Sequence, residues 1–223
     1  MHNNSKLIVF DFDGTLADTL DALLRIVNRL APEFKYQQIS TEQVDSFKYL
    51  SPWEIIKLSK VSLWKLPFLL KRVKAEFPLE VRNVRLFPGV IELLISLKSR
   101  GYRLGIVSSN SEANIRSLLK QNHLEYLFEF VTTASTFGKG KVIERMIKKY
   151  NCSKSNVIYI GDETRDIQAA RSIQIPIVAV TWGFNAPTTL IDKHPDYLIT
   201  QPKALLNALA YLYSDRSSQL ACF

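Results

Sequence analysis

Short apolar runs, rich in β-branched residues, alternate with stretches of helical periodicity over most of the chain. Such runs predict strands buried on both faces of a sheet, and the stretches between them predict helices that cover those faces. The predicted strands are 7–10, 103–107, 128–133, 157–160 and 176–180, with a short edge strand at 197–199. The predicted helices of this region are 90–99, 111–122, 142–150, 167–173 and 203–213. The alternation predicts an α/β fold built on a Rossmann-like parallel sheet.

A helical insert interrupts this alternation after the first strand. Residues 33–85 are rich in lysine and aromatic side chains, contain no glycine and show helical rather than strand periodicity. Pro32 is expected to end a first helix over 18–30, and the pair Ser51-Pro52 predicts the start of another. The expected organisation is a core domain of residues 1–16 and 87–213, a small α-helical cap domain of residues 17–86 and a frayed tail over 214–223.

One segment of the insert, residues 62–74, is apolar on one side and basic on the other. This pattern is typical of a helix that lies on a membrane surface, and equally of a packed helix that turns a basic face to solvent. Pro67 and the short length of the segment favour the packed helix. We therefore expect no membrane partner.

Composition narrows the class of protein further. The chain has 223 residues, a formal net charge of +8 and an isoelectric point near 9.4. Its two cysteines, Cys152 and Cys222, suggest a reducing compartment rather than a disulfide framework. The N-terminus does not resemble a signal peptide, and no apolar stretch approaches the roughly 20 residues of a membrane-spanning helix. We expect a cytoplasmic protein that is a monomer or a homodimer. The basic balance favours anionic partners, which could be phosphorylated metabolites, nucleic acid or an acidic membrane surface, and a generally basic surface without a specific partner is the alternative. Net charge is the only feature that favours nucleic acid, so no such partner is expected.

The first predicted strand ends in two carboxylates and a glycine, in the order Asp11-Phe12-Asp13-Gly14. If the extended backbone continues, Asp11 and Asp13 lie on one side and the phenylalanines on the other. Adjacent acids at a buried strand end repel each other and are costly to desolvate, so a positive group should lie between them. A divalent cation with oxygen ligands is the natural candidate, and a simple Asp-Gly turn is the alternative.

Polar residues also follow two other predicted strands. Ser108 ends the second strand, and Asp162 follows the fourth. Ligands of open parallel sheets bind outside the carboxyl ends of the strands. We therefore expect these residues to share one crevice with Asp11 and Asp13.

The stretch DFDGTLADT at 11–19 resembles the first motif of the haloacid dehalogenase superfamily of phosphotransferases. Ser108, a lysine near 139 and the pattern Gly161-Asp162-x-x-x-Asp166 match the later motifs in the family's order. The resemblance covers nearly the whole chain except the cap and the tail. An insert at this place resembles the branch with an α-helical cap, which includes phosphoglycolate phosphatases, β-phosphoglucomutase and the dehalogenases.

This resemblance assigns roles to the residues of the first two motifs. It implies that Asp11 is the nucleophile that forms an aspartyl-phosphate and that Asp13 is the general acid and base. It also implies that Ser108 donates a hydrogen bond to the phosphoryl group. Thr15 and the backbone amides of Ser109 and Asn110 are expected at the substrate.

The third motif leaves a choice between two lysines. Lys139 and Lys141 both precede the predicted helix. The spacing to Asp162 and the Phe-Gly-Lys context resemble the family better at Lys139. Gly140 occupies the place of the proline that usually follows the motif lysine.

The resemblance further implies Mg²⁺, held by the carboxylates of Asp11 and Asp162 and by the backbone carbonyl of Asp13. A site of oxygen ligands without His or Cys agrees with a hard cation and argues against zinc. Asp166 and Glu163 each have three possible roles. Each either contacts the metal directly, orients Asp162, or is an acid that stabilises a helix N-terminus.

The resemblance thus predicts a magnesium-dependent phosphatase that acts on a small phosphorylated metabolite, such as phosphoglycolate, through an aspartyl-phosphate. Dehalogenases lack an acid at the position of Asp13, so its presence favours phosphoryl transfer. A phosphomutase and a non-catalytic binding protein on the same fold are the alternatives. The basic side chains of the cap agree with a second anionic group on the substrate and equally with solvated surface charge.

Overall fold

The computed structural model describes residues 6–50, 52–59, 61–135 and 138–220. The strands within these residues are β1 (Leu7–Phe10), β2 (Ala17–Asp18), β3 (Arg85–Leu86), β4 (Arg103–Ser108), β5 (Phe128–Thr133), β6 (Val157–Gly161), β7 (Ile177–Val180) and β8 (Tyr197–Ile199). Six of these described strands form one parallel sheet in the order β5-β4-β1-β6-β7-β8. The α/β class and the parallel sheet predicted from the sequence are confirmed.

The helices of the described residues are α1 (Leu20–Phe34), α2 (Thr41–Phe47), α3 (Pro52–Leu58), α4 (Leu66–Glu76), α5 (Val90–Ser99), α6 (Glu112–Gln121), α7 (Lys139–Lys149), α8 (Thr164–Ser172), α9 (Pro187–Ile191) and α10 (Leu205–Leu220). Helices α7 and α8 each begin three residues earlier than the sequence predicted. Helix α10 extends beyond Tyr213, where the sequence placed its end. Ser51, Phe137 and Cys222, which the sequence analysis named, lie outside the described residues.

The prediction that Pro32 ends the first helix is wrong. Helix α1 continues through Pro32 to Phe34 and ends at Lys35, whose backbone is left-handed with φ of 59°. A proline has no N–H to donate to the carbonyl four residues earlier, which here belongs to Asn28. The side chain of Gln38 donates to that carbonyl instead, at 3.2 Å. A tertiary hydrogen bond therefore compensates the one that proline removes.

Alternation along the central strand divides the core between the two faces of the sheet. Ile8 and Phe10 belong to one buried apolar cluster, and Phe12 joins the same cluster beyond the strand end. Leu7 and Val9 belong to the other cluster, on the opposite face. Because β1 has neighbours on both sides and helices on both faces, its end is fixed in position for the side chains that follow.

Helices α1 to α4 lie between β2 and β3, where the sequence predicts the cap. The two strands pair antiparallel, with Ala17 opposite Leu86, and so bring together the two connections to the sheet. Away from these connections, the insert contacts the rest of the chain through hydrogen bonds. The carbonyl of Lys48 accepts from the backbone N–H of Ala186 at 2.7 Å, and the carbonyl of Lys74 accepts from Asn114 Nδ2 at 2.9 Å.

Across the part of the chain that the structure describes, no helix is both long enough and apolar enough to cross a membrane.

Gly105 of β4 offers a test of how tightly the sheet packs. A Cβ atom added there would lie 2.2 Å from Phe130 Cζ. Overpacking of a core typically costs about 1–3 kcal/mol, so Gly105→Ala should lower the free energy of unfolding by that amount in urea denaturation. Combining it with Phe130→Leu should give less than the sum of the two single effects, because the smaller side chain makes room. Strictly additive effects would contradict the proposed clash.

Candidate active site

Acidic and polar side chains converge at the carboxyl ends of the three central strands. Asp11 and Asp13 follow β1, Ser108 ends β4, and Asp162 follows β6. Each of these side chains is buried. The parallel neighbours β4 and β6 flank β1 on its two sides, which brings these distant positions of the sequence into one crevice, as the sequence predicted.

A buried ammonium group links two of the carboxylates. Lys139, in the first turn of α7, is 1% exposed. Its Nζ lies 2.5 Å from Asp11 Oδ2 and 2.6 Å from Asp166 Oδ1. Lys141 is exposed, so the structure places Lys139 rather than Lys141 at the site.

Asp162 is held by donors from two loops. The Thr15 hydroxyl donates to Asp162 Oδ1 at 2.7 Å, and the backbone N–H of Phe184 donates to Oδ2 at 2.8 Å. Gly14, with φ of +80°, and Gly183 approach so closely that an added Cβ atom would lie within 2.3 Å of the same oxygen. The sequence assigned the Thr15 hydroxyl to the substrate. In the structure it donates to Asp162, because the turn at Gly14 directs it towards the end of β6, and its contact with a substrate stays a prediction.

Asp166 uses both of its oxygens within the protein. Oδ1 accepts from Lys139 and, at 3.0 Å, from the Tyr159 hydroxyl. Oδ2 accepts from the backbone N–H of Glu163 at 3.1 Å, within a capping box at the start of α8. Asp166 therefore both caps a helix and fixes the position of Lys139.

Asp13 is surrounded by neutral donors. Asn110 Nδ2 donates to Asp13 Oδ1 at 3.1 Å, and Ser108 Oγ lies 3.4 Å from Oδ2. The backbone N–H of Asn110 donates to Ser108 Oγ at 3.1 Å. The sequence predicts that this N–H lies at the substrate, which stays a prediction, and the turn after β4 also brings the Asn110 side chain to Asp13. Ser109, on the same turn, is half-buried.

Asn114 is a residue of the site that the sequence reasoning missed. Its Nδ2 donates to Asn110 Oδ1 at 2.9 Å and to the carbonyl of Lys74 in α4 at 2.9 Å. It thus connects the helical insert to the amide that donates to Asp13. The sequence contains one sign of this role. Asn114 is a polar residue beside Ile115 on the apolar face of the predicted helix, and it follows Asn110 by four positions, the spacing at which side chains on one helix face meet.

Arg165 is a second missed residue. It forms an ion pair with Glu163, and the carboxylates of Glu163, Asp166 and Asp11 raise its pKa against the opposing effect of burial. Its position in the sequence, between two acids at a helix start, gives no sign that the side chain turns inward.

Burial dominates the electrostatics of the acids. It raises the pKa of Asp11 from 3.8 to about 7, against the opposing charge of Lys139. It also raises the pKa of Asp13, which the hydrogen bond from Asn110 lowers in part. Burial and the neighbouring carboxylates of Glu163 and Asp11 raise the pKa of Asp162 well above its usual value.

The donor set at this site fits a hard divalent cation. One carboxylate oxygen each of Asp11, Asp162 and Asp166 lies within 4.8 Å of the other two. Among the described residues, this cluster of possible metal ligands contains carboxylates and no His or Cys. Together with Asp13 and Glu163, they place five buried acids beside two cations, Lys139 and Arg165. A bound Mg²⁺ would offset the excess negative charge, and oxygen is the ligand type that it prefers.

Comparisons with known proteins agree with this geometry. The family model of the haloacid dehalogenase-like hydrolases matches residues 8–180. The chain is 38% identical to a phosphoglycolate phosphatase from Synechococcus elongatus, over 93% of this chain and 98% of that protein. It is 27% identical to a phosphoglycolate phosphatase from Aliivibrio fischeri, over 94% and 99% of the two chains. A solved structure described as a predicted phosphatase from Clostridium acetobutylicum shares the fold, with a TM-score of 0.81, 20% identity and coverage of 93% and 99%.

The raised pKa of Asp11 predicts how stability depends on pH. Between its unfolded value of 3.8 and its folded value of about 7, the folded state holds a proton that the unfolded state has lost. The free energy of unfolding should therefore fall as the pH rises from about 5 to about 7.5, measured by urea denaturation in EDTA. In Asp11→Asn this titration is absent, so stability should fall less over the same range. Equal pH dependence of the two proteins would contradict the prediction.

The contacts of Asn114 predict an effect on turnover beyond its effect on stability. Asn114→Ala removes two hydrogen bonds and should lower the free energy of unfolding by about 1–2 kcal/mol. It should also lower kcat by about tenfold or more, because Asn110 loses the partner that orients it towards Asp13. Asn122→Ala, at the C-cap of the same helix, is the matched control, since Asn122 Nδ2 donates to the nearby carbonyl of Leu118 at 2.8 Å and, among the described residues, to no group of the site. An equal loss of kcat in both variants would show a purely structural role.

Proposed function

The chain belongs to the haloacid dehalogenase-like hydrolase family, and on this premise we propose that it is a magnesium-dependent phosphatase of small phosphate monoesters. The observation that supports this most directly is the unequal environment of the two acids after β1. Asp11 contacts the ammonium group of Lys139, whereas Asp13 contacts neutral donors. One carboxyl is thereby suited to act as a nucleophile and the other as an acid.

Asp11 would attack the phosphorus atom of the substrate. Lys139 favours its ionised form, and the backbone N–H of Phe12 donates to Asp11 Oδ1 at 2.8 Å, which fixes the carboxylate plane. Attack forms a bond between a carboxylate oxygen and phosphorus while the bond to the leaving oxygen breaks. The product of this step is an aspartyl-phosphate.

Asp13 would supply the proton that the leaving oxygen needs. Burial raises its pKa, so the protonated form is available, and Asn110 orients its carboxyl group. After the leaving group departs as an alcohol, the ionised Asp13 would take a proton from water. That water attacks the aspartyl-phosphate, releases inorganic phosphate and restores both carboxyl groups.

Mg²⁺ would be held by the carboxylates of Asp11 and Asp162 and by the backbone carbonyl of Asp13. When bound, it would neutralise phosphoryl charge and polarise the phosphorus centre. Both oxygens of Asp166 already accept hydrogen bonds from the protein, which favours a positioning role for Asp166 over direct contact with the metal. Thr15 and the N–H of Phe184 would hold Asp162 in place.

The substrate is proposed to be phosphoglycolate or a similar monoester with a second anionic group. The names of the relatives support this class. Lys74 of α4 supports it, because its carbonyl accepts from Asn114, which also donates to Asn110 beside Asp13, and because the Asp13 carboxylate raises the pKa of Lys74 against the larger opposing effect of burial. A cation at that position is suited to pair with a substrate carboxylate.

Asp11→Asn tests the proposed chemistry. It keeps the shape of the side chain and removes the nucleophile, so phosphate release should fall about 10³-fold or more. The assay is release of inorganic phosphate from phosphoglycolate, p-nitrophenyl phosphate and pyrophosphate, with Mg²⁺ or EDTA. Asp192→Asn, an exposed acid away from the crevice, is the matched control and should keep full activity.

Acid quenching during turnover should trap a phosphorylated Asp11 in the wild type, detectable by mass spectrometry. Full activity of Asp11→Asn, or activity unchanged by EDTA, would overturn the mechanism. Formation of an isomeric phosphate ester without release of phosphate would favour a mutase instead.

A further inference from the structure

Several large apolar side chains between the end of α3 and the first turn of α4 are exposed to solvent. Leu58, Leu63, Trp64 and Phe68 are 60%, 56%, 75% and 64% exposed. We call these four residues the cap tip. Single exposed apolar residues are ordinary, but four of them within 11 positions, including a tryptophan, mark an interaction site.

The cap tip lies within a segment of one charge sign. Residues 55–75 contain six lysines and arginines and no acid. In the described part of the chain, Lys57, Lys65 and Lys71 form no ion pair, whereas Arg72 pairs with Glu33 and Glu76. The three lysines therefore keep their charge available for an anionic partner.

The rest of the fold does not use this surface. Near the other end of α4, the Lys74 carbonyl accepts a hydrogen bond from Asn114, and the six steps from Phe68 to Lys74 span about 9 Å of helix. Leu69 is the single buried side chain among the described residues of α4. The cap tip is thus separated from the contact with Asn114 by at least this length of α4.

Pro67 does not oppose a surface helix here, although the sequence suggested that it would favour packing. It lies in the first turn of α4, where a missing N–H leaves no hydrogen bond unmade. The helix packs Leu69 and Val73 against the apolar core, as the sequence favoured, while Phe68 and Leu70 of the same helix remain exposed.

We propose that the cap tip docks on the anionic surface of a lipid bilayer. Trp64, Phe68 and the two leucines would enter the interface between headgroups and acyl chains, while Lys57, Lys65 and Lys71 pair with anionic headgroups. Apolar area combined with lysine charge is the pattern of interfacial binding, and each contributes to its strength. The proposal is independent of the proposed hydrolysis.

Two other occupants fit the surface less well. A second copy of the chain would bring two basic segments together, and their like charges would repel. Protein interfaces are depleted in lysine relative to the rest of the surface, and three unpaired lysines border this patch. Both features favour an anionic lipid surface.

Sedimentation with vesicles of phosphatidylcholine and phosphatidylglycerol tests this proposal on the full chain. We expect binding that falls at high salt and is absent with pure phosphatidylcholine. Trp64→Ser with Phe68→Ser should weaken the partition coefficient by about tenfold or more, because the inserted apolar area is lost. Lys65→Gln with Lys71→Gln should weaken it by a similar factor.

Matched controls separate this surface from general basic charge. Lys120→Gln with Lys203→Gln removes two exposed lysines elsewhere, and Tyr126→Ser removes an aromatic residue that is 73% exposed outside the cap. Both should bind vesicles as the wild type does. Each variant should retain its helical circular dichroism and its phosphate release in solution.

Three outcomes would overturn the proposal. The first is that the protein does not bind anionic vesicles, and the second is that the control variants lose as much binding as the cap-tip variants. The third is a concentration-dependent dimer, detected by light scattering, that is absent in Trp64→Ser with Phe68→Ser, in a protein that does not bind vesicles. The last outcome would show that the surface joins two copies of the chain.

Discussion

The ammonium group of Lys139, buried between Asp11 and Asp166, is the interaction on which the centre of this protein depends. Removing one partner of a buried ion pair typically costs about 3–5 kcal/mol, because the charge left behind has lost its hydration. Lys139 also decides the chemistry of the acids, since its contact distinguishes Asp11 from Asp13. The buried acids of the site outnumber the cations Lys139 and Arg165. This excess of negative charge makes the crevice suited to a divalent cation.

Parallel strands make this concentration of charge possible. With β1 between β4 and β6, the chain reaches the same edge of the sheet three times, and each time it leaves the strand through a polar residue. The backbone at Gly14 and Gly183 approaches the carboxylate of Asp162 so closely that a side chain at either glycine would clash with it. The apolar clusters on both faces keep these strand ends in place, so the acids have little freedom to move apart.

The helical insert meets this centre at one end and solvent at the other. Asn114 and the Lys74 carbonyl link it to the residues around Asp13, whose carboxylate raises the pKa of Lys74 against the larger effect of burial. The far end holds the cap tip and its unpaired lysines. The proposed recognition of substrate and the proposed docking on a bilayer thus involve different residues of one small helical unit.

The sequence by itself determined the α/β class, the strands of the sheet and the convergence of Asp11, Asp13, Ser108 and Asp162, because periodicity and strand ends are local properties. It could not determine that Pro32 is tolerated, since the compensating donor on Gln38 comes from beyond the helix end. The roles of Thr15, Asn110 and Asn114 also depended on tertiary structure, because a side chain's hydrogen-bond partner is set by what folds against it. Exposure of Trp64 and Phe68 is the same kind of fact: an amphipathic pattern predicts an apolar side, and only packing decides whether it is covered.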